Sequence, residues 1–192
     1  MSRSVEKYME KQHLILDCAR NLFLDKGYRT TSMDSVAEAA GVTKQTVYRY
    51  YPSKKDLFAA VLEAMGKNKR VYEFGGGDLR DELEKYAVFF LTQHLTPERI
   101  GLYRLVVAES VHEKELGSIF FTNAQSVRQN NLAEYLENKL SSGDSEKLAG
   151  IFGSMLLHMR SGVLLGTTAI PSQQEIEDFC RFSVNVFLNG CL

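Results

Sequence analysis

The sequence predicts an all-α protein, and three observations carry that reading. Apolar residues recur at three- and four-residue spacing along almost the whole chain. No stretch alternates long enough to make a strand, and no hairpin turn joins two such runs. Pro52, Pro97 and Pro171, the only prolines, each stand where a helix can begin. The chain has 192 residues, 44% apolar and 24% charged, with a formal net charge of −1. Such a length buries a sizeable core, in one medium domain or two small ones sharing it, and the composition excludes a largely disordered protein. No run approaches the roughly 18 apolar residues of a membrane span. The opening MSRSVEKYMEKQ lacks the apolar stretch of a secretory leader, so a cytoplasmic protein is expected.

The elements follow in order. Residues 5–27 carry Ile15, Cys18, Ala19, Leu22 and Phe23 on one face and stop at Gly27. A short helix is expected near 33–40, with Val36, Ala37 and Ala40 on one face, and a second from a Thr43 cap to Tyr51. Residues 54–70 carry Leu57, Phe58, Val61, Leu62 and Met65, with Ser53 and Asp56 as a weak capping box. Gly75-Gly76-Gly77 reads as a flexible joint, and Asp78 caps a helix over 78–94. Thr96-Pro97 opens a helix over 97–110. Further helices fit 115–141, 145–166 and 173–189, the last behind the capping box Ser172-Gln-Gln-Glu175. Its broad apolar face comprises Ile176, Phe179, Cys180, Ser183, Val186 and Phe187.

Charge is unevenly spread. Residues 1–70 hold 13 Lys and Arg against 8 Asp and Glu, whereas residues 71–192 hold 10 against 16. A basic N-terminal third joined to an acidic remainder suits two jobs on one chain, the first facing a polyanion.

Residues 31–56 concentrate the chemistry. Two short helices joined by a glycine-containing turn at Gly41 form a helix-turn-helix, with Val42 plugging the angle between them. In that motif the second helix enters the major groove and its first residues meet base edges. Lys44 and Arg49 can reach guanine O6/N7 or a phosphate, and Gln45 can bond adenine bidentately. Thr46 suits a thymine methyl or a phosphate, and Tyr48 and Tyr50 present hydroxyls for phosphates. Ser53 and Lys54 open the next helix, whose first N–H groups favour a phosphate oxygen, as Thr31 and Ser32 do for the earlier one. Spacing and residue chemistry alone also fit an all-α small-molecule-binding protein or enzyme without DNA binding, or an architectural module with no effector pocket.

Residues 10–66 resemble the N-terminal domain of the TetR/AcrR family of transcriptional regulators. The resemblance rests on Phe23-Leu-Asp-Lys-Gly27-Tyr28, Thr-Thr-Ser-Met, Val-Ala-Glu-Ala-Ala-Gly-Val-Thr, Thr-Val-Tyr-Arg-Tyr-Tyr and Ser-Lys-Lys-Asp-Leu-Phe. Tyr51 stands where the family usually has phenylalanine, and Gln45 where it often has a small residue. The resemblance implies a homodimer of about nine helices per subunit. A DNA-binding domain of three helices would span 1–53, with the motif at about 32–51. The helix 54–70 would connect it to a ligand-binding and dimerising domain over 71–192. Ser32, Thr43, Lys44, Gln45, Thr46, Tyr48, Arg49, Tyr50 and Lys54 would then face an operator in double-stranded DNA. Residues 103–121, YRLVVAESVHEKELGSIFF, are similar to the C-terminal core of one AcrR-like subgroup.

Such regulators bind a small-molecule effector in the larger domain, usually as repressors. The aromatic, sulfur and histidine positions suited to line a site are Tyr86, Phe90, His94, Tyr103, Phe120, Phe121, Met155, His158 and Met159, although a stripe of this kind also makes ordinary core. The glycines and serines of 145–166 suit a wide helix–helix surface, and residues 145–190 are expected to form the homodimer. No catalytic residue, cofactor or metal site is expected. There is no GxSxG, HExxH or Walker loop. Asp81-Glu82 and Glu113/Glu115 read as solvated charge near helix ends. Cys18, Cys180 and Cys191 form neither a disulfide framework nor a metal knuckle, and buried cysteine serves as a small hydrophobe.

Overall fold

The computed structural model describes the backbone of residues 3–67, 71–125, 128–141 and 143–191. Among the described residues there are eleven helices and no strand. They are α1 (Arg3–Lys26), α2 (Met33–Ala39), α3 (Lys44–Tyr50), α4 (Lys54–Lys67), α5 (Leu79–His94) and α6 (Pro97–Ser110). The rest are α7 (Lys114–Gln125), α8 (Arg128–Leu140), α9 (Ser145–Leu157), α10 (Arg160–Leu165) and α11 (Gln173–Cys191).

The expected caps form. Thr43 Oγ1 accepts from Thr46 N at 3.2 Å, Ser53 Oγ from Asp56 N at 3.2 Å, and Asp78 Oδ2 from Arg80 N at 3.0 Å. Before α11, Ser172 and Glu175 satisfy each other's backbone N–H groups.

Among the described residues eleven helices stand where nine or so were expected, because the run 145–166 breaks and the run 115–141 is described in two parts. The run 115–141 is described as α7 and α8, on either side of residues 126 and 127, which lie outside the described residues. So do residues 68–70, the end of the expected helix 54–70. The run 145–166 breaks at His158 and Met159. There the N–H groups of His158, Met159 and Ser161 bond three residues back, at 3.2, 3.3 and 3.0 Å, rather than four. Glycine at 150, 153 and 162 lowers helix propensity through this stretch, so tertiary packing can redirect it at little cost.

The chain forms two compact units whose division departs from the expected boundaries. The first comprises Met1–Lys69 and Gly101–Ala124, the second Arg70–Ile100 and Gln125–Leu192. In the first, Leu102, Leu105, Val106 and Leu116 are buried in one core with Ile15, Phe23, Val36, Val47, Leu57 and Phe58. Lys55 on α4 is ion-paired with Glu115 on α7. The division therefore falls inside α6 and assigns α4, most of α6 and nearly all of α7 to the unit holding the helix-turn-helix. Periodicity shows which face of a helix is apolar, but not which core receives it. The first unit carries 14 Lys and Arg against 11 Asp and Glu, the second 9 against 13, so the charge asymmetry survives in reduced form.

In the second unit α5, α8, α9 and α11 pack around Leu83, Leu91, Leu136, Phe152 and Leu156. The inward face of α11 is Ile176, Cys180, Ser183, Val184, Phe187 and Leu188. Val186, expected inside, is exposed beside Phe182. Cys180 is fully buried, which pushes its thiol up to about 12 and leaves it an inert hydrophobe.

Candidate nucleic-acid interface

The reading element is built locally. Ser32 caps α2, its Oγ accepting from Ser35 N at 3.0 Å while Ser35 Oγ accepts from Ser32 N at 3.0 Å. Serine at the third helical position thus does the work of the usual glutamate, a pairing that the short side chain made hard to foresee. Gly41 adopts φ +61, the left-handed conformation that reverses the chain between α2 and α3. Val47, the only fully buried residue of α3, anchors that helix to the core.

With Val47 inward, Lys44, Gln45, Tyr48 and Arg49 are all exposed. Lys44 Nζ lies 2.7 Å from Asp34 Oδ1 on α2, and this contact holds the ammonium above its ordinary pKa. Lys44 Nζ lies 6.0 Å from the Tyr48 ring centre, and the Arg49 guanidinium 5.4 Å from that of Tyr50. The hydroxyls of Thr43 and Thr46 are 2.8 Å apart, so both belong to the cap of α3.

Three residues named from the sequence are turned inward. Lys54 Nζ donates to the carbonyls of Tyr28 at 3.0 Å, Arg29 at 3.3 Å and Thr31 at 3.0 Å, over the Tyr28 ring. All three ammonium N–H groups are thereby used, and burial lowers the pKa. Lys54 clasps the loop between α1 and α2 instead of presenting its charge outward. The Tyr50 ring packs against Tyr8 of α1 at 4.6 Å, with its hydroxyl donating to the Tyr8 carbonyl at 3.5 Å, so it braces α3. Thr31 is buried, and its hydroxyl closes the end of α1 on the Gly27 carbonyl at 2.8 Å. Asp34, which orients Lys44, was not foreseen. Only the packing of α2 on α3 makes it a neighbour.

The nine candidate ligand-lining residues fall into both units. In the first, Tyr103 meets Phe120 edge-on at 5.8 Å, and Phe121 is exposed. In the second, Tyr86 and Phe90 are core residues, Met155 and Met159 flank that core, and His158 is exposed. His94 lies on the Phe90 ring and donates Nδ1–H to the Phe90 carbonyl at 2.7 Å. Six of the nine thus belong to the second unit and three to the first.

Gly75-Gly76-Gly77, expected to be a flexible joint, ends a strap, residues 71–77, that is tied down. The Glu82 carboxylate, expected to be solvated, is only 5% exposed and accepts from Gly75 N at 2.7 Å, Lys85 Nζ at 3.2 Å and Tyr72 Oη at 3.5 Å. These bonds, first that from Gly75, hold its pKa below the ordinary 4.5. A side chain at Gly75 or Gly77 would begin 3.3 or 3.2 Å from Glu82 Oε1, so the strap can approach because it is glycine. Asn131 on α8 donates to the Tyr72 carbonyl at 2.6 Å.

Comparison with known proteins agrees with this architecture. Residues 15–61 match the family model of bacterial regulatory proteins of the tetR family, and residues 81–190 match the C-terminal domain of AefR-like transcriptional repressors. The HTH-type transcriptional regulator YvkB of Bacillus subtilis is 26% identical over 183 residues, covering 92% of this chain and 94% of that protein. The transcriptional activator FasR of Mycolicibacterium smegmatis is 39% identical over 54 residues, 28% of this chain and 25% of that longer protein. A TetR-family regulator from Mesorhizobium loti, solved by crystallography, superposes with a TM-score of 0.80 at 23% identity, over 99% of this chain and 98% of that one. The flavonoid-responsive regulator FrrA superposes with a TM-score of 0.77 at 27% identity, over 94% and 96%. The chain belongs to the TetR family of DNA-binding transcriptional regulators.

Proposed function

We propose that this regulator is a homodimeric repressor, acting in the cytoplasm, whose operator binding is released by a small-molecule effector held in the second unit. The observation that carries the reading is the face of α3, where four polar side chains point outward over one buried valine. Lys44, Gln45 and Arg49 are the base readers, with Thr46 at their edge, and Ser32, Thr43 and Tyr48 hold the flanking phosphates. Tyr50 and Lys54 support the reader from behind. Affinity comes mainly from phosphate neutralisation and falls steeply with salt.

Dimerisation through 145–190 is supported by Ile151, Leu165, Phe182 and Val186, large apolar side chains left exposed on α9, α10 and α11. Two α3 helices in such a dimer read half-sites about one helical turn, ~34–36 Å, apart or at a related spacing. The match to AefR-like repressors supports repression, and the likeness to a flavonoid-responsive regulator supports control by a small molecule. A ligand that favours a dimer geometry mismatched to the operator shifts the population and weakens DNA binding.

Selection of bound fragments from a genomic DNA pool tests the reading. Enrichment of a site with two-fold half-site symmetry is expected. Recovery of unrelated fragments alone, or salt-insensitive binding, would overturn it.

A further inference from the structure

The strap 71–77 occupies the second unit as a bound molecule would. The Phe74 ring lies flat on Tyr135, with centres 4.1 Å apart and planes 9° from parallel, and near-parallel to Tyr86 at 5.3 Å and 23°. The next N–H, that of Gly75, is received by the buried Glu82 carboxylate at 2.7 Å. A planar ring stacked against two tyrosines, joined to a donor that reaches a buried carboxylate, describes an aromatic ligand with one polar handle. Tyr135 adds an independent observation. It is more than nine-tenths buried, its hydroxyl has no hydrogen-bond partner, and burial with the fields of Glu82 and Asp78 keeps it protonated. An unpaired buried hydroxyl is costly and calls for a reason. The strap offers Glu82 a donor and Tyr135 nothing.

We propose that Phe74 and Gly75 form an internal plug in an effector site, and that the site takes a planar hydroxylated aromatic molecule. Its ring replaces Phe74 against Tyr135 and Tyr86. Its phenolic hydroxyl donates to Glu82 in place of Gly75 N–H and accepts from Tyr135, so the orphaned group gains a partner on exchange. Displacement is feasible because Phe74 is only half-buried and the strap ends in Gly76 and Gly77, which are exposed. The proposal rests on the reading that the second unit binds an effector.

A plug lowers apparent affinity by the fraction of molecules in which it is open, and removing it returns that factor. An apolar slot left by truncating a ring takes up an aromatic molecule of matching shape. Calorimetric titration of the full chain with 2-naphthol, and with 2-methoxynaphthalene, which cannot donate, is the test. Phe74→Ala is expected to bind 2-naphthol about tenfold or more tightly than the native chain, with a clearly smaller gain for the methoxy compound. Tyr135→Phe in the Phe74→Ala background should lose about fivefold or more of that affinity. If Phe74→Ala does not fold, Phe74→Leu, which keeps the bulk and removes the flat ring, should show the same direction of change. Equal affinity in native and Phe74 variants, absence of binding, or equal gains for both compounds would overturn the plug. Release of operator DNA by another compound, unaffected by the Phe74 variants, would overturn this site and leave the effector reading standing.

Discussion

At the scale of single residues, polar side chains of similar chemistry have different jobs according to where their donors point. Gln45 is exposed on α3, and Gln45→Ala should relax preference at one or two base pairs by about 1–3 kcal/mol for a bidentate contact. Relative affinities across a panel of operator variants measure this, and an unchanged ranking would remove Gln45 from the readers. Lys54 makes the opposite case, with every ammonium N–H spent on a carbonyl. Hydrogen bonds to charged groups contribute about 1.5–3 kcal/mol, so Lys54→Met should lower unfolding stability by that order in urea titration. A phosphate-binding lysine would also carry about one unit of the log–log salt slope of DNA binding. Here the slope should be the same in native and variant chains. The sequence revealed lysine beside a helix start, the usual setting of a phosphate contact. The carbonyls that capture it lie 23 to 26 residues earlier and become neighbours only on folding.

At the scale of elements, most of what closes within a few residues was readable, the Ser32–Ser35 pairing excepted, and what depends on a distant partner was not. The caps at Thr43, Ser53, Asp78 and Ser172 lie two or three residues from the groups they satisfy. The turn at Gly41 announces itself because its positive φ favours glycine. Nothing lies within 4 Å of where a Gly41 side chain would begin, so Gly41→Ala tests backbone strain alone. It should cost about 1–2 kcal/mol of unfolding free energy, seen as a lower urea midpoint with unchanged slope. Glu82 shows the other side. An acidic pair in a first helical turn ordinarily complements the helix dipole, yet this carboxylate holds a strap seven residues away. Its pKa is depressed in the folded chain, so its stabilising effect is complete above the usual carboxylate range and lost as pH falls through the lowered value. Melting the native chain and Glu82→Gln between about pH 7 and pH 3 should show a difference that is largest at neutral pH and shrinks on the acid side. A constant difference would mean that Glu82 acts by shape alone.

At the scale of the whole molecule, the net charge of −1 conceals a basic unit and an acidic one, and amphipathic helices do not declare where such units divide. Helices α6 and α7 look, by pattern, like any other apolar-faced helices of the C-terminal two-thirds, and their burial with Phe23 and Phe58 is a tertiary fact. The same holds for α11, whose apolar residues outnumber those one core can take. Its inward stripe is complete without Phe182, which is 67% exposed, and Ile151 on α9 is 56% exposed. Side chains of that size left in water are what a partner copy would cover. Phe182→Glu places a charge at a position that is two-thirds exposed and outside the buried core, so the subunit's own stability should change by no more than about 0.5 kcal/mol. Sedimentation at micromolar concentration should then give the mass of one subunit, where the native chain should give two. Operator affinity should fall by roughly 10²–10⁴-fold, because each reading helix loses the effective concentration that its partner supplies. A stable variant that still sediments as a dimer would place the interface elsewhere. A monomer with undiminished affinity would show that one reading helix suffices.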